Sequence, residues 1–187
     1  MTAEKSSFRP GLLGRRRAVG FGIAVAILSL SRPATAAVQA RPRRIHLVNP
    51  HTGENFRDIY HENGAYLPDA LRQLNLLLRD HANDKVHAID PALIDLLADL
   101  QRRIDLAQPF HVVSAYRSPE TNAAARRRNR HVAPNSLHMR GKAVDVAVPD
   151  LNIQVLRHAA IAMRAGGVGA YPRANFVHLD VGPVRTW

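Results

Sequence analysis

The sequence predicts a single α+β domain in which a small mixed or antiparallel sheet is backed by helices. A length of 187 residues suits one hydrophobic core better than two. Short apolar segments with strand character also alternate with segments of helical periodicity, and no internal repeat is present. A sheet with helices packed against it is the simplest way to bury both kinds of element.

The first 36 residues have the composition of a secretory leader. Arg15-Arg16-Arg17 precede an apolar run from Ala18 to Leu30, and Ala34-Thr35-Ala36 supplies the small residues that a signal peptidase needs. The run is well short of the roughly 20 residues of a membrane-spanning helix, so only a transient membrane contact is expected. The arginines are compatible with a twin-arginine signal, and a general secretory signal stays open. Both routes predict export to the periplasm.

The N-terminal half of the domain alternates strands and helices. A basic linker over residues 37–44 precedes two predicted strands, 45–49 and 54–60, which a turn joins into a hairpin. A first helix is predicted over 67–79, with Pro68 in its first turn. Asp90 is the predicted cap of a second helix, whose Ile94, Leu97 and Leu100 share one face.

The C-terminal half carries the polar residues of interest. The predicted elements are a strand over 109–116, a helix over 119–130, a strand over 143–148, a helix over 151–165 and strands over 168–171 and 176–181. Arg117 directly follows the first of these strands. Asp145 lies in the strand over 143–148, and His178 lies in the strand over 176–181. We expect these three strands to converge in one sheet.

Composition limits the classes of partner. The formal net charge of +11 falls to about +6 without the leader, so anionic wall and membrane surfaces are the expected partners. Arg126-Arg127-Arg128 and Arg130 form a basic cluster without interleaved aromatic residues, and export removes the chain from nucleic acid. A solvated helix face is therefore favoured over nucleic-acid binding. The absence of cysteine excludes disulfides and thiolate metal sites.

The segment from Ser136 to Asp145, followed later by His178, has the residue types of a catalytic zinc site. Such a zinc takes three protein ligands and leaves a fourth position for water. Nitrogen and oxygen donors suit zinc best among the common metals, with manganese or iron less favoured. Gly141 allows a turn that lets His138 and Asp145 face each other. A cation would also offset the cost of an ionised Asp145 within an apolar strand.

The pattern Ser-x-His-x-x-Gly-x-Ala-x-Asp with a later histidine resembles peptidase family M15, the zinc D,D-peptidase superfamily. Further segments are similar to its murein endopeptidase K group, once catalogued as a domain of unknown function: 114–122, 135–139, 166–169, 171–173, 176–178 and 184–187. The resemblance covers the chain after the leader. It implies the family's compact α+β fold, with one zinc per chain held by His138, Asp145 and His178. The other histidines keep the interpretation of ordinary packed or surface residues.

The resemblance also implies roles around the metal. Arg117 matches an arginine that polarises the scissile carbonyl or holds substrate in carboxypeptidase relatives, and the alternative is an ion pair with Glu120. Ser136 matches a serine that contacts substrate, and it is equally explained as a turn residue. Ser114 and Tyr116 are expected in the wall of the cleft.

The chain departs from much of the superfamily at the catalytic base. Many members carry an acid three residues before the last histidine, where this chain has Asn175. We assign the base to Asp180, which shares a strand face with His178. A hydrogen-bonding partner of a ligand histidine and a plain surface acid are the alternatives for Asp180.

The sequence therefore predicts a periplasmic zinc metallopeptidase that hydrolyses the stem-peptide crosslinks of peptidoglycan. Crosslinks from D-alanine to diaminopimelate and between two diaminopimelates both stay open. A D-alanyl-D-alanine carboxypeptidase is the nearest alternative enzyme. A wall-binding module that keeps the metal for structure is the alternative without catalysis.

Overall fold

A computed structural model describes residues 41–187, so the predicted leader and the first residues of the predicted linker lie outside the described residues. The described helices are α1 (Pro68–Leu77), α2 (Pro91–Arg103), α3 (Pro119–Arg128) and α4 (Ile153–Met163). The described strands are β1 (Arg43–Val48), β2 (Asn55–Glu62), β3 (Ala65–Tyr66), β4 (Phe110–Ser114), β5 (Ala143–Ala147), β6 (Gly167–Tyr171), β7 (Phe176–Asp180) and β8 (Arg185–Thr186). Within 41–187, none of the helices has the length and apolar character needed to cross a bilayer.

The strands form one mixed sheet in the order β3-β2-β1-β4-β5-β7-β6-β8. β1 is parallel to β4 and β6 is parallel to β8, whereas the other neighbours are antiparallel. The predicted α+β class with a mixed, helix-backed sheet is thus confirmed. The sheet is larger than expected because the two-residue strands β3 and β8 extend its edges, and strands that short have no periodicity to detect.

The first strand starts earlier than predicted. Arg43 and Arg44, which the sequence analysis places in the linker, belong to β1. The Arg43 guanidinium lies 2.8 Å from the carboxylate of Asp99 and 3.3 Å from that of Asp95, both on α2. These ion pairs fix the start of the strand against the helix that packs on it.

Alternation along β5 and β7 separates the core from the polar residues. Val144, Val146, Val177 and Leu179 are fully buried and belong to the core that α2 and α4 help to form. Full burial of each such side chain contributes about 1.5–3 kcal/mol relative to exposure. Because successive side chains of a strand point to opposite faces, the residues between them lie on the other face of the sheet.

The segment that follows β4 is held in place from two sides. The backbone N–H of Arg117 donates to the carbonyl of His138 at 3.2 Å. The N–H of Ser118 donates to the buried carboxylate of Asp80 at 2.8 Å, and that carboxylate also accepts from the N–H of Ala82. Ser118 in turn caps α3. These hydrogen bonds hold the backbone of Arg117 and Ser118 in place, and with it the Cα position of Arg117.

Replacing Asp80 by asparagine is expected to lower the free energy of unfolding by about 1.5–3 kcal/mol, the usual range for hydrogen bonds to a charged group. Burial alone raises the pKa of Asp80, but hydrogen bonds from Thr121 and Ser118 outweigh burial and lower it. This stabilisation is therefore present above the unfolded-state pKa and is lost as pH falls through the folded-state pKa. Urea unfolding at neutral and acidic pH measures both effects.

Asp84→Asn is the matched control, because Asp84 is exposed and pairs only with Arg79. We expect it to change stability by less than about 1 kcal/mol. Equal losses in the two variants would contradict the anchoring role of Asp80.

Candidate metal centre and its cleft

The three predicted ligands meet on the polar face of the sheet. His178 Nδ1 lies 2.9 Å from Asp145 Oδ1, His138 Nε2 lies 3.2 Å from His178 Nδ1, and His138 Nε2 lies 3.4 Å from Asp145 Oδ1. All three atoms fall within the separation that allows one metal ion to be shared. The structure thus brings together His138, Asp145 and His178 as the sequence predicts.

Two local features bring them together. Asp145 on β5 and His178 on β7 are directly paired in the antiparallel register, so their side chains lie side by side. His138 comes from a short 3₁₀ turn, Leu137–Arg140, that Ser136 caps by accepting from the His138 N–H. Gly141 ends this turn with a φ of 63°, a left-handed conformation that glycine adopts without strain. The predicted bend between His138 and Asp145 is therefore present.

Hydrogen bonds constrain which nitrogen of each imidazole carries the proton. His138 Nδ1 lies 2.6 Å from the carbonyl oxygen of Ala115, which only accepts, so Nδ1 is the donor. His178 lies between two carboxylates, with Nδ1 2.9 Å from Asp145 Oδ1 and Nε2 3.0 Å from Asp180 Oδ2. When its Nδ1 binds a metal, the proton is on Nε2 and is donated to Asp180. The lone pairs of His138 Nε2 and His178 Nδ1 then both face Asp145.

This donor set fits a divalent cation. Three electron-pair donors, one of them anionic, face one another with no hydrogen-bond donor between them when both imidazoles are neutral. Such an arrangement is repulsive unless a cation or a proton occupies the centre. Tetrahedral ligands at about 2.0–2.1 Å from a zinc ion lie about 3.3 Å apart, close to the observed separations.

Asp145 and His178 each stabilise the charged form of the other. Burial would raise the pKa of Asp145, but the neighbouring His138 and His178 lower it, so the carboxylate stays ionised. Burial would lower the pKa of His178, but hydrogen bonds and charge from Asp145 and Asp180 outweigh it and raise that pKa. In the absence of metal, a proton on His178 therefore balances part of the buried negative charge.

Asp180 lies behind the His178 ring, away from the cleft. Its side chain is fully buried. It accepts hydrogen bonds from the N–H groups of Gly167 and Gly182 and from both terminal nitrogens of Arg185, in addition to His178. The surface-acid alternative for Asp180 is wrong because the side chain has no exposed surface. The general-base assignment finds no support in this geometry, since the His178 ring separates the carboxylate from the three facing ligand atoms.

Arg117 lies at the edge of the metal centre. Its Nη2 is 3.9 Å from Asp145 Oδ2 and donates to Ser114 Oγ at 3.2 Å, while Nη1 lies 3.5 Å from the Asn122 side-chain oxygen. Glu120, the alternative partner that the sequence suggests, instead pairs with Lys85 at 2.8 Å. The Arg117 guanidinium therefore lines the cleft and does not form the alternative ion pair with Glu120.

The metal centre opens into a cleft of about 550 Å³. The cleft is lined by Arg117, by the three predicted ligands, and by residues of the loop from Asn129 to Leu137, which includes Ser136. Aromatic side chains line its other side. Among the described residues that line the cleft, Asp145 carries the only side-chain carboxylate. The predicted wall residues Ser114 and Tyr116 do not line the cleft. The Ser114 hydroxyl accepts a hydrogen bond from Arg117, and the Tyr116 ring stacks on the His87 ring with 4.7 Å between the ring centres.

Asn175 occupies a turn rather than the cleft. It ends a 3₁₀ turn, Pro172–Ala174, with a φ of 52°. Asparagine tolerates this left-handed conformation better than most residues that carry a side chain. Its neighbours in a small crevice are apolar residues such as Val146 and Leu151. The turn therefore suits asparagine, and it would suit aspartate as well, as Asp84 and Asp150 with positive φ show.

One wall of the cleft is aromatic and consists of Tyr171, Phe176 and Trp187, for which local sequence patterns predict no role. Trp187 lies 5.2 Å from the His178 ring between ring centres, and its indole N–H donates to the Tyr171 hydroxyl at 2.9 Å. The Arg185 guanidinium lies over the indole at 5.0 Å. Gly169, opposite His178 in the sheet, leaves the room that the indole fills, because a Cβ there would lie 2.4 Å from the ring. The one sequence signal is that Trp187 is the sole tryptophan.

Two imidazoles and a carboxylate at the base of an open cleft are the ligand set of a catalytic metal site, such as that of a metal-dependent hydrolase. Comparison with known proteins narrows this class. The family described as "Peptidoglycan L,D-endopeptidase MepK", within the M15 peptidases, matches residues 37–187. The chain belongs to this family and is therefore a metallopeptidase.

Individual relatives agree with the family match. The peptidoglycan L,D-endopeptidase MepK of Escherichia coli strain K12 is 41% identical over 167 residues, which cover 89% of this chain and 92% of that protein. The probable peptidoglycan L,D-endopeptidase MepK of Haemophilus influenzae is 38% identical over 168 residues, which cover 89% of this chain and 90% of that protein. The similarity thus spans nearly the whole length of both relatives.

Acidification is expected to release the metal. Only a neutral His178 offers a lone pair at Nδ1, and the two carboxylates raise its pKa above the ordinary value of 6.5. Protons therefore compete with the metal at a higher pH than for an isolated histidine. Competition titrations with a chromogenic chelator between about pH 8 and pH 5.5 should show affinity falling by about tenfold or more per pH unit at the acidic end, as one or more protons are taken up. An affinity that is constant over this range would contradict the assignment.

Proposed function

We propose that this chain is a zinc-dependent endopeptidase of peptidoglycan. The observation that carries the proposal is the set of three facing lone-pair donors, 2.9–3.4 Å apart, at the base of the cleft. Nitrogen and carboxylate donors in near-tetrahedral spacing suit zinc, and three protein ligands leave one coordination position open for catalysis. The predicted leader supports export to the periplasm, where the substrate lies.

The substrate class follows from the stereochemistry of the crosslinks. The relatives are named L,D-endopeptidases. A crosslink between two diaminopimelates joins the carbonyl of an L centre to the amine of a D centre, whereas D-alanine to diaminopimelate joins two D centres. Of the two crosslinks that the sequence leaves open, we therefore propose the one between diaminopimelates.

Each protein group at the centre has a separable task. Zinc, when bound, supplies Lewis acidity that polarises the scissile carbonyl and lowers the pKa of water. Ala115 and Asp180 hold the proton on the far nitrogen of His138 and His178, which keeps the near nitrogens free for the metal. The Arg117 guanidinium donates to the carbonyl oxygen as negative charge develops on it.

We further propose that Asp180 orients His178 and does not act as the base. The proton released by water then passes to a group that faces the cleft. Among the described residues that line the cleft and are not proposed as metal ligands, His131 offers an imidazole as the acceptor.

Digestion of purified sacculi tests the function. We expect the zinc-loaded protein to remove dimers crosslinked between diaminopimelates, and we expect a chelator to abolish this activity and added zinc to restore it. Mass spectrometry of the released muropeptides gives the products. Loss of terminal D-alanine alone would indicate the carboxypeptidase instead, and unchanged muropeptides despite bound zinc would sink the enzymatic proposal.

Asp180→Asn separates orientation from proton transfer. If Asp180 orients His178, the substitution weakens zinc binding by about 10–100-fold, and saturating zinc restores most of the turnover. If Asp180 is the base, turnover falls by about 10²–10⁴-fold at saturating zinc while zinc affinity is unchanged. Asp150→Asn, at an exposed residue outside the site, is the matched control and should alter neither quantity.

A further inference from the structure

Four exposed arginines form a basic rim beside the cleft: Arg126, Arg127, Arg128 and Arg130. The first three end α3, and Arg130 follows after Asn129. Asn129 and His131 both line the cleft that holds the metal centre. The rim is therefore continuous with the mouth of the cleft.

The charge of the rim is not balanced locally. No acidic residue occurs between Glu120 and Asp145, an interval that also contains Arg140 and Lys142. Within residues 41–187, none of the four rim arginines lies within 4.0 Å of a carboxylate, and the nearest acid along the helix, Glu120, is occupied by Lys85. By contrast, arginines close to the domain core, such as Arg43 and Arg79, do pair with carboxylates.

Helix stability does not account for this amount of charge. Cations in the last turn of α3 offset the helix dipole, but that dipole amounts to only about half an elementary charge. Four arginines within five consecutive residues exceed this requirement. Nor does packing explain them, because Asn122 is the only buried residue of α3. Their exposed guanidinium groups can therefore bind anions.

We propose that the basic rim binds the carboxylates of peptidoglycan stem peptides next to the crosslink in the cleft. This inference rests on the proposed function. Stem peptides carry free carboxylates at regular intervals along the polymer, and a strand entering the cleft past Asn129 runs along the rim. A membrane surface fits less well, because none of the large exposed apolar side chains of the described residues lies between 119 and 140. The rim thus increases affinity for the polymer without taking part in the chemistry.

The test is a variant with all four rim arginines replaced, R126Q/R127Q/R128Q/R130Q. A charge-matched control replaces four exposed arginines that lie away from the cleft, R41Q/R44Q/R57Q/R103Q. The purified full chain, loaded with zinc, is compared in co-sedimentation with sacculi at low and high salt and in cleavage of a soluble crosslinked dimer. All eight positions are exposed, and thermal melts verify that both variants fold.

We expect the rim variant to bind sacculi about tenfold more weakly at low salt, with a reduced salt dependence, as for the loss of several exposed ionic contacts. Its KM for sacculi rises, while kcat on the soluble dimer stays within about twofold because no rim side chain lines the cleft. The control variant should keep at least half of the wild-type affinity.

Three outcomes would overturn the proposal. They are unchanged binding of sacculi by the rim variant, an equal loss in the control, and, when vesicles of anionic phospholipid replace the sacculi in the same co-sedimentation, a loss confined to the vesicles, which would make the rim a membrane contact. Failure of the wild-type protein to cleave the dimer would refute the proposed function instead, and the sedimentation result would still decide whether the rim binds the wall.

Discussion

The centre depends on holding three lone-pair donors closer together than they would stay without a cation. His138, Asp145 and His178 each face the same point, and each histidine is prevented from turning away by a partner on its far side. A backbone carbonyl fixes His138 and a buried carboxylate fixes His178. With the near nitrogens unprotonated, the three donors repel one another unless a cation or a proton lies between them. A divalent cation therefore competes with protons for the centre.

The sheet supplies the rigidity that this arrangement requires. β5 and β7 carry four fully buried aliphatic side chains on one face and Asp145 and His178 on the other. The same register that closes the core therefore places two of the proposed ligands side by side. The third proposed ligand and Arg117 come from irregular segments joined by the bond between the Arg117 N–H and the His138 carbonyl. Core packing and site geometry are consequently coupled through β5 and β7.

Most of this architecture could be predicted from local sequence, and the failures share a physical cause. Apolar alternation identifies β5 and β7, and the family resemblance selects His138 among ten histidines. The period of a strand correctly puts Asp180 on the same face as His178, but it does not say which side of the ring the carboxylate occupies. That is decided by Arg185, which comes from a strand too short to show any pattern. Contacts between distant segments escape local patterns for the same reason, as with Lys85 and Glu120.

X-ray absorption spectroscopy of the zinc-loaded protein is the decisive measurement for the proposed centre, because it counts the zinc ligands and identifies their type. We expect a four-coordinate zinc with two imidazole nitrogens at about 2.0–2.1 Å, one carboxylate oxygen at about 2.0–2.2 Å, and a fourth oxygen from solvent. One imidazole contribution should disappear in His178→Ala. A shell closed by four protein ligands, or a spectrum unchanged by that substitution, would refute the three-ligand centre.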